Sequence, residues 1–372
     1  MPTYLDHAAT SPMRTEAAEV LTSHMSVVGN PSALHVAGQR ARRILEEARE
    51  QLAVVVGATP SEVVFTSGGS EADSIALIGG MAARAGEGRV RCLVSAIEHP
   101  AVLGMTERGA EVLPVSSRGV LRMEAVAQAI GPDVGVVSVM TVNNETGICQ
   151  PLEAVRAAAD EHGVWLHTDA VQSLGHMPVD FRASGVDMMS LSAHKVGGPV
   201  GIGVLLVRRS VTPSMIGLGG GQERAIRSGT ATVALAASFS AAAVAATESL
   251  AVEVPRLAGL QSRIMAVCRE LGGMVNTDLT DHAPHITNVT FDGIQADDLL
   301  FLLDQRGVFA SVGSACRSGV HQPSEVLLAM GRTPDEAAAT LRFSTGHSST
   351  DAEMDHLVAV LPGAVERARA AF

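Results

Sequence analysis

The stretch DMMSLSAHKVGGPVGIGVLLVR (187–208) contains two short apolar runs separated by a glycine-rich turn. The runs, DMMSLS (187–192) and GVLLVR (203–208), have the length of buried strands, about four to eight residues. Lys195 follows directly after the first run, just before Gly197. The sequence therefore predicts a buried strand with a lysine just after its carboxyl end.

Similar apolar runs recur towards the N-terminus, separated by segments with helical spacing. They are VVFT (63–66), RCLVSA (91–96), EVLPV (111–115), VGVVSVMT (134–141) and VWLHT (164–168). Helical patterns occupy 41–57, 71–86 and 152–163. This alternation predicts an α/β fold with a mainly parallel seven-stranded sheet covered on both faces. Such sheets bind ligands at the carboxyl ends of their strands.

The pattern changes after residue 255, where helices and strands are mixed. Helical patterns at 254–273 and 297–307 accompany strand patterns at 285–293 and 340–346. We therefore expect a large domain at 15–255 and a smaller α+β domain formed by 1–14 and 256–372.

The composition indicates a globular protein with a large core. Of the 372 residues, 47% are apolar and 18% charged, and the formal net charge is −12. This charge argues against direct binding to nucleic acid. MPTYLDHAAT (1–10) lacks the pattern of a signal peptide, and the Ala-rich tract 232–254 favours a buried helix over a membrane span. These features predict a cytoplasmic location.

Two strand ends carry groups that could hold a carbonyl cofactor. A desolvated lysine such as Lys195 can form a Schiff base, because burial lowers its pKa; the alternative is a surface lysine in a loop. In HTDAVQS (167–173), Asp169 could keep a ring nitrogen protonated, or it could simply cap the following turn.

Three further strand ends are also polar. TSGGSEAD (66–73) offers backbone N–H groups and the Ser70 hydroxyl at a helix N-terminus, which suits an anion. SAIEHPAV (95–102) places His99 after a strand, and VMTVNNETG (139–147) does the same for Asn143, Asn144 and Glu145. Alone, TSGGSEAD would also fit a nucleotide-binding α/β protein. Together these clusters specify pyridoxal phosphate, for which the protein supplies orientation and electrostatics.

The order of these segments resembles that of the cysteine desulfurases, a branch of the class V aminotransferase-like, fold-type I pyridoxal phosphate enzymes. The resemblance extends nearly end to end. It rests on YLDHAAT (4–10), GNPSALH (29–35), EHPAV (98–102), NNETG (143–147), DAVQS (169–173), SAHKVGGP (192–199), RSGT (227–230), GSAC (313–316) and LRFSTGH (341–347).

The resemblance implies a role for each matching residue. Lys195 would bind the cofactor covalently and move protons, and Asp169 would face the ring nitrogen. His99 would stack on the ring and is a candidate acid or base. The remaining cofactor contacts would come from Asn144 and Gln172 at the ring hydroxyl and from Gly69, Ser70, Ser192 and His194 at the phosphate. Thr230 would reach the phosphate of a second subunit, implying a homodimer, and Arg342 with Asn144 would bind the substrate carboxylate.

Cys316 lies among small residues in SVGSACRSGVH (311–321). The resemblance implies that it takes sulfur from L-cysteine as a persulfide and passes it to an acceptor, an iron–sulfur scaffold or a tRNA-thiolation enzyme. A selenocysteine lyase or an aminotransferase of the same fold is the alternative, although a transaminase has no use for this thiol. A non-catalytic scaffold would be expected to have lost Lys195 or Asp169. The chain departs from the family in having Ser70 where threonine is usual. Arg317 could lower the pKa of the Cys316 thiol, or it could be solvated or contact a partner, which we favour.

The other three cysteines, Cys92, Cys149 and Cys268, form no CxxC pair that would suggest zinc or redox chemistry. We expect them to serve packing.

Overall fold

The computed structural model describes residues 2–278, 280–312 and 323–370. Its strands are β1 (Thr3–Tyr4), β2 (Val63–Thr66), β3 (Arg91–Ser95), β4 (Glu111–Leu113), β5 (Val134–Ser138), β6 (Trp165–Asp169), β7 (Met188–Ser192), β8 (Gly203–Val207), β9 (Met274–Val275), β10 (Ile286–Thr290), β11 (Val308–Phe309) and β12 (Thr340–Ser344). Its helices are α1 (Thr15–His24), α2 (Val36–Val55), α3 (Gly69–Ser74), α4 (Gly80–Arg84), α5 (Pro100–Leu103), α6 (Met123–Ala129), α7 (Leu152–His162), α8 (Phe181–Ser184), α9 (Val233–Glu248), α10 (Leu250–Glu270), α11 (Ala296–Asp304), α12 (Glu325–Ala329), α13 (Pro334–Ala338) and α14 (Asp351–Ala370).

A seven-stranded sheet in the order β2-β8-β7-β6-β5-β3-β4 forms the centre of the molecule. The pairs from β7 to β4 are parallel, whereas β8 runs antiparallel to both β2 and β7. Every residue of β5, β7 and β8 is buried, as expected for strands covered on both faces. The predicted sheet is confirmed, and the bounds of each predicted strand differ from the observed ones by at most three residues.

A second set of elements is formed by the chain after α9 together with the N-terminal strand β1. Strands β12, β10 and β9 form an antiparallel sheet, and β1 pairs in parallel with β11. Apolar residues of α10, α11 and α14 pack with these strands and with Leu5 in a cluster separate from those on the large sheet. This packing supports the predicted domain boundaries, which nevertheless stay a prediction.

Two helical segments differ from the sequence patterns. The segment 71–86 is divided by a π-helical stretch at Ile75–Gly79, between α3 and α4. The apolar tract 232–254 is divided at Ser249, where α9 and α10 meet at 74° and the Ser249 hydroxyl donates to the Ala245 carbonyl. Among the described residues, no single helix is long and apolar enough to span a membrane; α9 and α10 meet that criterion only together, across the bend.

Candidate active site

A cavity of about 330 Å³ opens at the carboxyl edge of the large sheet. Its lining includes most of the predicted site residues, namely Gly69, Ser70, His99, Asn144, Asp169, Gln172, Ser192, His194, Lys195 and Arg342. Thr230 is exposed and does not line this cavity. Cys316 and Arg317 lie outside the described residues.

Lys195 occupies the short turn that follows β7. Its Nζ donates to the Ala8 carbonyl at 2.5 Å and to the Ala9 carbonyl at 2.8 Å. Burial and then the charge of Arg342 lower the pKa of the Lys195 ammonium to about 8. A free amine is therefore accessible near neutral pH, as a Schiff-base nucleophile requires.

Lys195 is also the only lysine in the sequence, whose other basic side chains are arginines and histidines. This count is a sequence signal for a reactive lysine that the motifs alone do not show. All the other Lys/Arg positions of the chain are arginine, and the one lysine lies in a cavity. This choice points to chemistry that a guanidinium cannot perform.

Asp169 is the last residue of β6 and is buried. One carboxyl oxygen accepts from the Val171 backbone N–H at 2.9 Å, so this side chain does stabilise the following turn. Burial raises the pKa of Asp169, while His99 and Lys195 oppose that rise. Asp169 thus combines the two alternatives that the sequence left open, since it stabilises a turn and also faces the cavity.

His99 is the N-cap of α5, and Pro100 occupies the first helical position. Its Nδ1 accepts from the Ala101 backbone N–H at 3.1 Å. Burial lowers the pKa of His99, so the neutral ring is favoured. Because a backbone N–H can meet only an acceptor, the neutral ring carries its proton on Nε2.

The residues at the start of α3 suit an anion. Gly69 begins α3, and a Cβ at this position would lie 3.0 Å from the Val171 side chain. Ser70, Ser192 and His194 line the same cavity. Burial and the charge of Lys195 lower the pKa of His194 to about 4, so its ring is neutral at neutral pH.

Arg342 lies on β12 and brings a guanidinium from the second set of elements to the cavity. One terminal nitrogen donates to the Asn144 carbonyl at 2.8 Å, and the other pairs with Asp6 at 2.7 Å. Its Nε is buried and has no hydrogen-bond partner among the described residues. These contacts orient the guanidinium so that it can receive a carboxylate.

Asn143 and Glu145 have structural roles beside Asn144. The Asn143 side-chain oxygen accepts from the backbone N–H groups of Glu145 and Thr146, at 3.0 and 2.8 Å. Glu145 accepts from the Ser324 hydroxyl at 2.5 Å. Both contacts hold the turn that brings Asn144 to the cavity.

Two buried acids that sequence reasoning did not assign also line the cavity. Glu98 accepts from the Met140 backbone N–H at 2.6 Å, and burial raises its pKa to about 8. Burial and the nearby Asp169 raise the pKa of Asp73 as well. Both residues belong to quoted motifs, but nothing in those motifs marks them as neutral acids.

The three described cysteines, Cys92, Cys149 and Cys268, are buried and unpaired. Burial raises each thiol pKa to about 12, which makes these thiols unreactive. The prediction that they serve packing agrees with the structure.

The described residues fit pyridoxal phosphate chemically. A low-pKa lysine suits the aldehyde, the buried carboxylate of Asp169 suits a protonated ring nitrogen, and the cradle at Gly69 suits the phosphate. These groups lie at the ends of different strands around one cavity.

Comparison with known proteins agrees with this arrangement. The model of the class V aminotransferase family matches residues 3–357, so the chain belongs to this family of pyridoxal phosphate enzymes. It is 44% identical to the IscS-like cysteine desulfurase of Mycobacterium tuberculosis, over 99% of this chain and 97% of that protein. Within the family, the chain therefore groups with the cysteine desulfurases.

Solved structures agree as well. A NifS-like protein superposes with a TM-score of 0.90 at 32% identity, covering 99% of this chain and all of that one. SspA in complex with cysteine gives a TM-score of 0.81 at 32% identity, covering 94% of this chain and all of the other. The predicted fold class and family are thus confirmed.

Proposed function

We propose that the protein removes sulfur from L-cysteine, releasing L-alanine and retaining the sulfur as a persulfide on Cys316. The observation that carries this proposal is the convergence of Lys195, Asp169 and Arg342 on one cavity. The similarity to proteins named cysteine desulfurase, and to one structure solved with cysteine, supports the choice of substrate.

Arg342 would bind the substrate carboxylate. Its guanidinium is held by the Asn144 carbonyl and by Asp6, and Arg342 lines the cavity. A guanidinium can bind a carboxylate in charge-assisted hydrogen bonds. The substrate amino group would then be directed towards Lys195, which lines the same cavity as Asp169.

Lys195 would move the proton at the substrate Cα. Bound pyridoxal phosphate supplies an electron sink for that carbon, strengthened by a ring nitrogen that Asp169 keeps protonated. A lysine with a pKa of about 8 can accept and return a proton near neutral pH. His99 would stack on the ring and present its Nε2–H, since Nδ1 is occupied by the Ala101 N–H.

Cys316 would receive the sulfur. Its thiolate attacks the substrate Sγ, an S–S bond forms, and the Cβ–Sγ bond breaks with its electron pair remaining on the carbon side. Protonation of that carbon and return of the Cα proton by Lys195 complete alanine. In the sequence, Cys316 has the small residues Gly313, Ser314 and Gly319 near it.

We also propose a cytoplasmic homodimer that delivers sulfur to an iron–sulfur scaffold or a tRNA-thiolation enzyme. Thr230 is exposed and does not line the cavity of its own chain, which fits a residue that serves a second subunit. Relatives named IscS support an acceptor in cluster assembly.

The direct test is incubation with L-cysteine, pyridoxal phosphate and a thiol reductant. Equal amounts of alanine and sulfide are expected, together with loss of both products in Lys195→Ala. Turnover of selenocysteine alone would instead favour the lyase, and exchange of the amino group with a keto acid would favour the transaminase.

A further inference from the structure

Four histidines from separate segments lie close to one another, outside the described lining of the cavity. They are His7, His176, His285 and His347, and the first three are buried. The rings of His176 and His285 stack with centroids 3.7 Å apart at an angle of 14°. Burial is the main cause that lowers the pKa of each ring, so all four are neutral at neutral pH.

The hydrogen bonds around Gln172 determine which atom of His285 carries the proton. The Gln172 amide nitrogen donates to the Ala8 carbonyl at 2.9 Å, and that carbonyl can only accept. The amide oxygen of Gln172 therefore faces His285, whose Nε2 lies 3.4 Å away. Since this oxygen can only accept, the neutral His285 ring carries its proton on Nε2.

We propose that His285 is a positioning residue that orients the Gln172 amide towards the bound cofactor. Gln172 is held at both ends, by the Ala8 carbonyl and by His285, and it lines the cavity. An amide nitrogen carries two hydrogens, so one remains for the ring oxygen of the cofactor. Without His285 the amide is held only by the Ala8 carbonyl, so its remaining N–H is less firmly directed at the ring oxygen.

The role of His176 is separate. Its ring covers one face of His285. Phenylalanine at position 176 would keep the stacked pair and leave the His285 N–H in place. Phenylalanine at position 285 would also keep the stacked pair but would remove the N–H that faces Gln172. The two positions therefore form a matched pair for an experiment.

The test compares His285→Phe, His285→Gln and His176→Phe in the holoenzyme. The Gln172 N–H stabilises negative charge on the ring oxygen of the cofactor. That oxygen therefore holds the neighbouring proton less tightly. In His285→Phe, the pH at which the visible absorbance titrates should rise, and the cofactor dissociation constant should increase about fivefold, the value of one hydrogen bond. His285→Gln restores an N–H donor and should return both values towards wild type, while His176→Phe should match wild type.

A positioning role also predicts that kcat falls in His285→Phe while the KM for cysteine is unchanged, since Arg342 is untouched. The proposal is overturned if His285→Phe and His176→Phe have the same spectrum and cofactor affinity, or if His285→Gln fails to rescue a fully folded protein.

The role of His285 depends on the proposed function only where kcat and KM are measured with cysteine as substrate. If the wild type releases no alanine, the desulfurase proposal fails, while the absorbance titration still decides the role of His285.

Discussion

At the scale of single residues, the surroundings of Lys195 account for its reactivity. The carbonyls of Ala8 and Ala9 hold the ammonium in place, while burial and Arg342 disfavour its charge. Asp169 and Asp6 act in the opposite direction and limit the decrease. The result is an amine that can be free or protonated within the physiological range.

We predict that Lys195 of the cofactor-free enzyme titrates at about pH 8 instead of near 10.5, the ordinary lysine value. Its charge is lost as the pH rises through 8, because burial favours the neutral form. Reductive methylation with labelled formaldehyde and carbon NMR would give one lysine signal, since the chain contains no other lysine. A lysine signal that begins to titrate only near pH 10 would contradict the low pKa.

Arg342 provides a second prediction at this scale. An ammonium cannot reproduce the forked contacts of a guanidinium, so Arg342→Lys should raise the KM for cysteine at least about tenfold. The cofactor spectrum should stay close to wild type. Arg263→Lys, at the exposed pair with Asp351 and Asp355, is the matched control and should leave KM unchanged. An unchanged KM in Arg342→Lys would remove this residue from substrate binding.

At the scale of elements, the large sheet could be predicted because buried parallel strands require continuous apolar runs. Polar residues directly after such runs lie at one edge of the sheet, so Lys195 and Asp169 could be expected to meet. The π-helical stretch at Ile75–Gly79 could not be predicted, since it depends on packing: a Cβ on Gly79 would lie 2.4 Å from the Ser214 carbonyl oxygen. The contact of His285 with Gln172 joins residues 113 positions apart and leaves no local pattern.

The start of α3 carries a prediction about Ser70, which the resemblance places at a phosphate contact where threonine was expected. Ser70→Thr keeps the hydroxyl and should leave cofactor affinity unchanged. Ser70→Ala removes a donor to a charged group and should weaken binding about tenfold. Fluorescence titration of the cofactor-free protein measures both. Equal affinities in all three proteins would show that this hydroxyl does not contact the phosphate.

At the scale of the whole molecule, the neutral histidines lie where the N-terminal segment, the large sheet and the β10–β12 sheet meet. The pKa of His176 is lowered from 6.5 to about 3, mainly by burial. A lowered pKa in the folded state stabilises the fold above pH 6.5, and this contribution is lost as the pH falls towards 3. Glu98, whose pKa is raised to about 8, has the opposite effect and loses its contribution as the pH rises.

We therefore predict that His176→Phe makes the cofactor-free protein less sensitive to acid. Between pH 6.5 and 4.5, the free energy of unfolding of the wild type should fall by about 2–3 kcal/mol more than that of the variant, since one titrating group contributes about 1.4 kcal/mol per pH unit. The contribution of Glu98 is common to both proteins and cancels. Urea unfolding at several pH values measures the difference, and parallel curves would contradict the neutral burial of His176.

The central claim is that Cys316 accepts the sulfur of L-cysteine. The measurement that tests it most directly is a single turnover without reductant, with mass analysis of the peptide that contains Cys316 and with Cys316→Ser as the control. We predict that the wild-type peptide gains one sulfur atom for each alanine released, and that Cys316→Ser keeps the cofactor absorbance but neither gains sulfur nor releases alanine. Alanine release at the wild-type rate by Cys316→Ser, or sulfur found on another cysteine, would contradict the account.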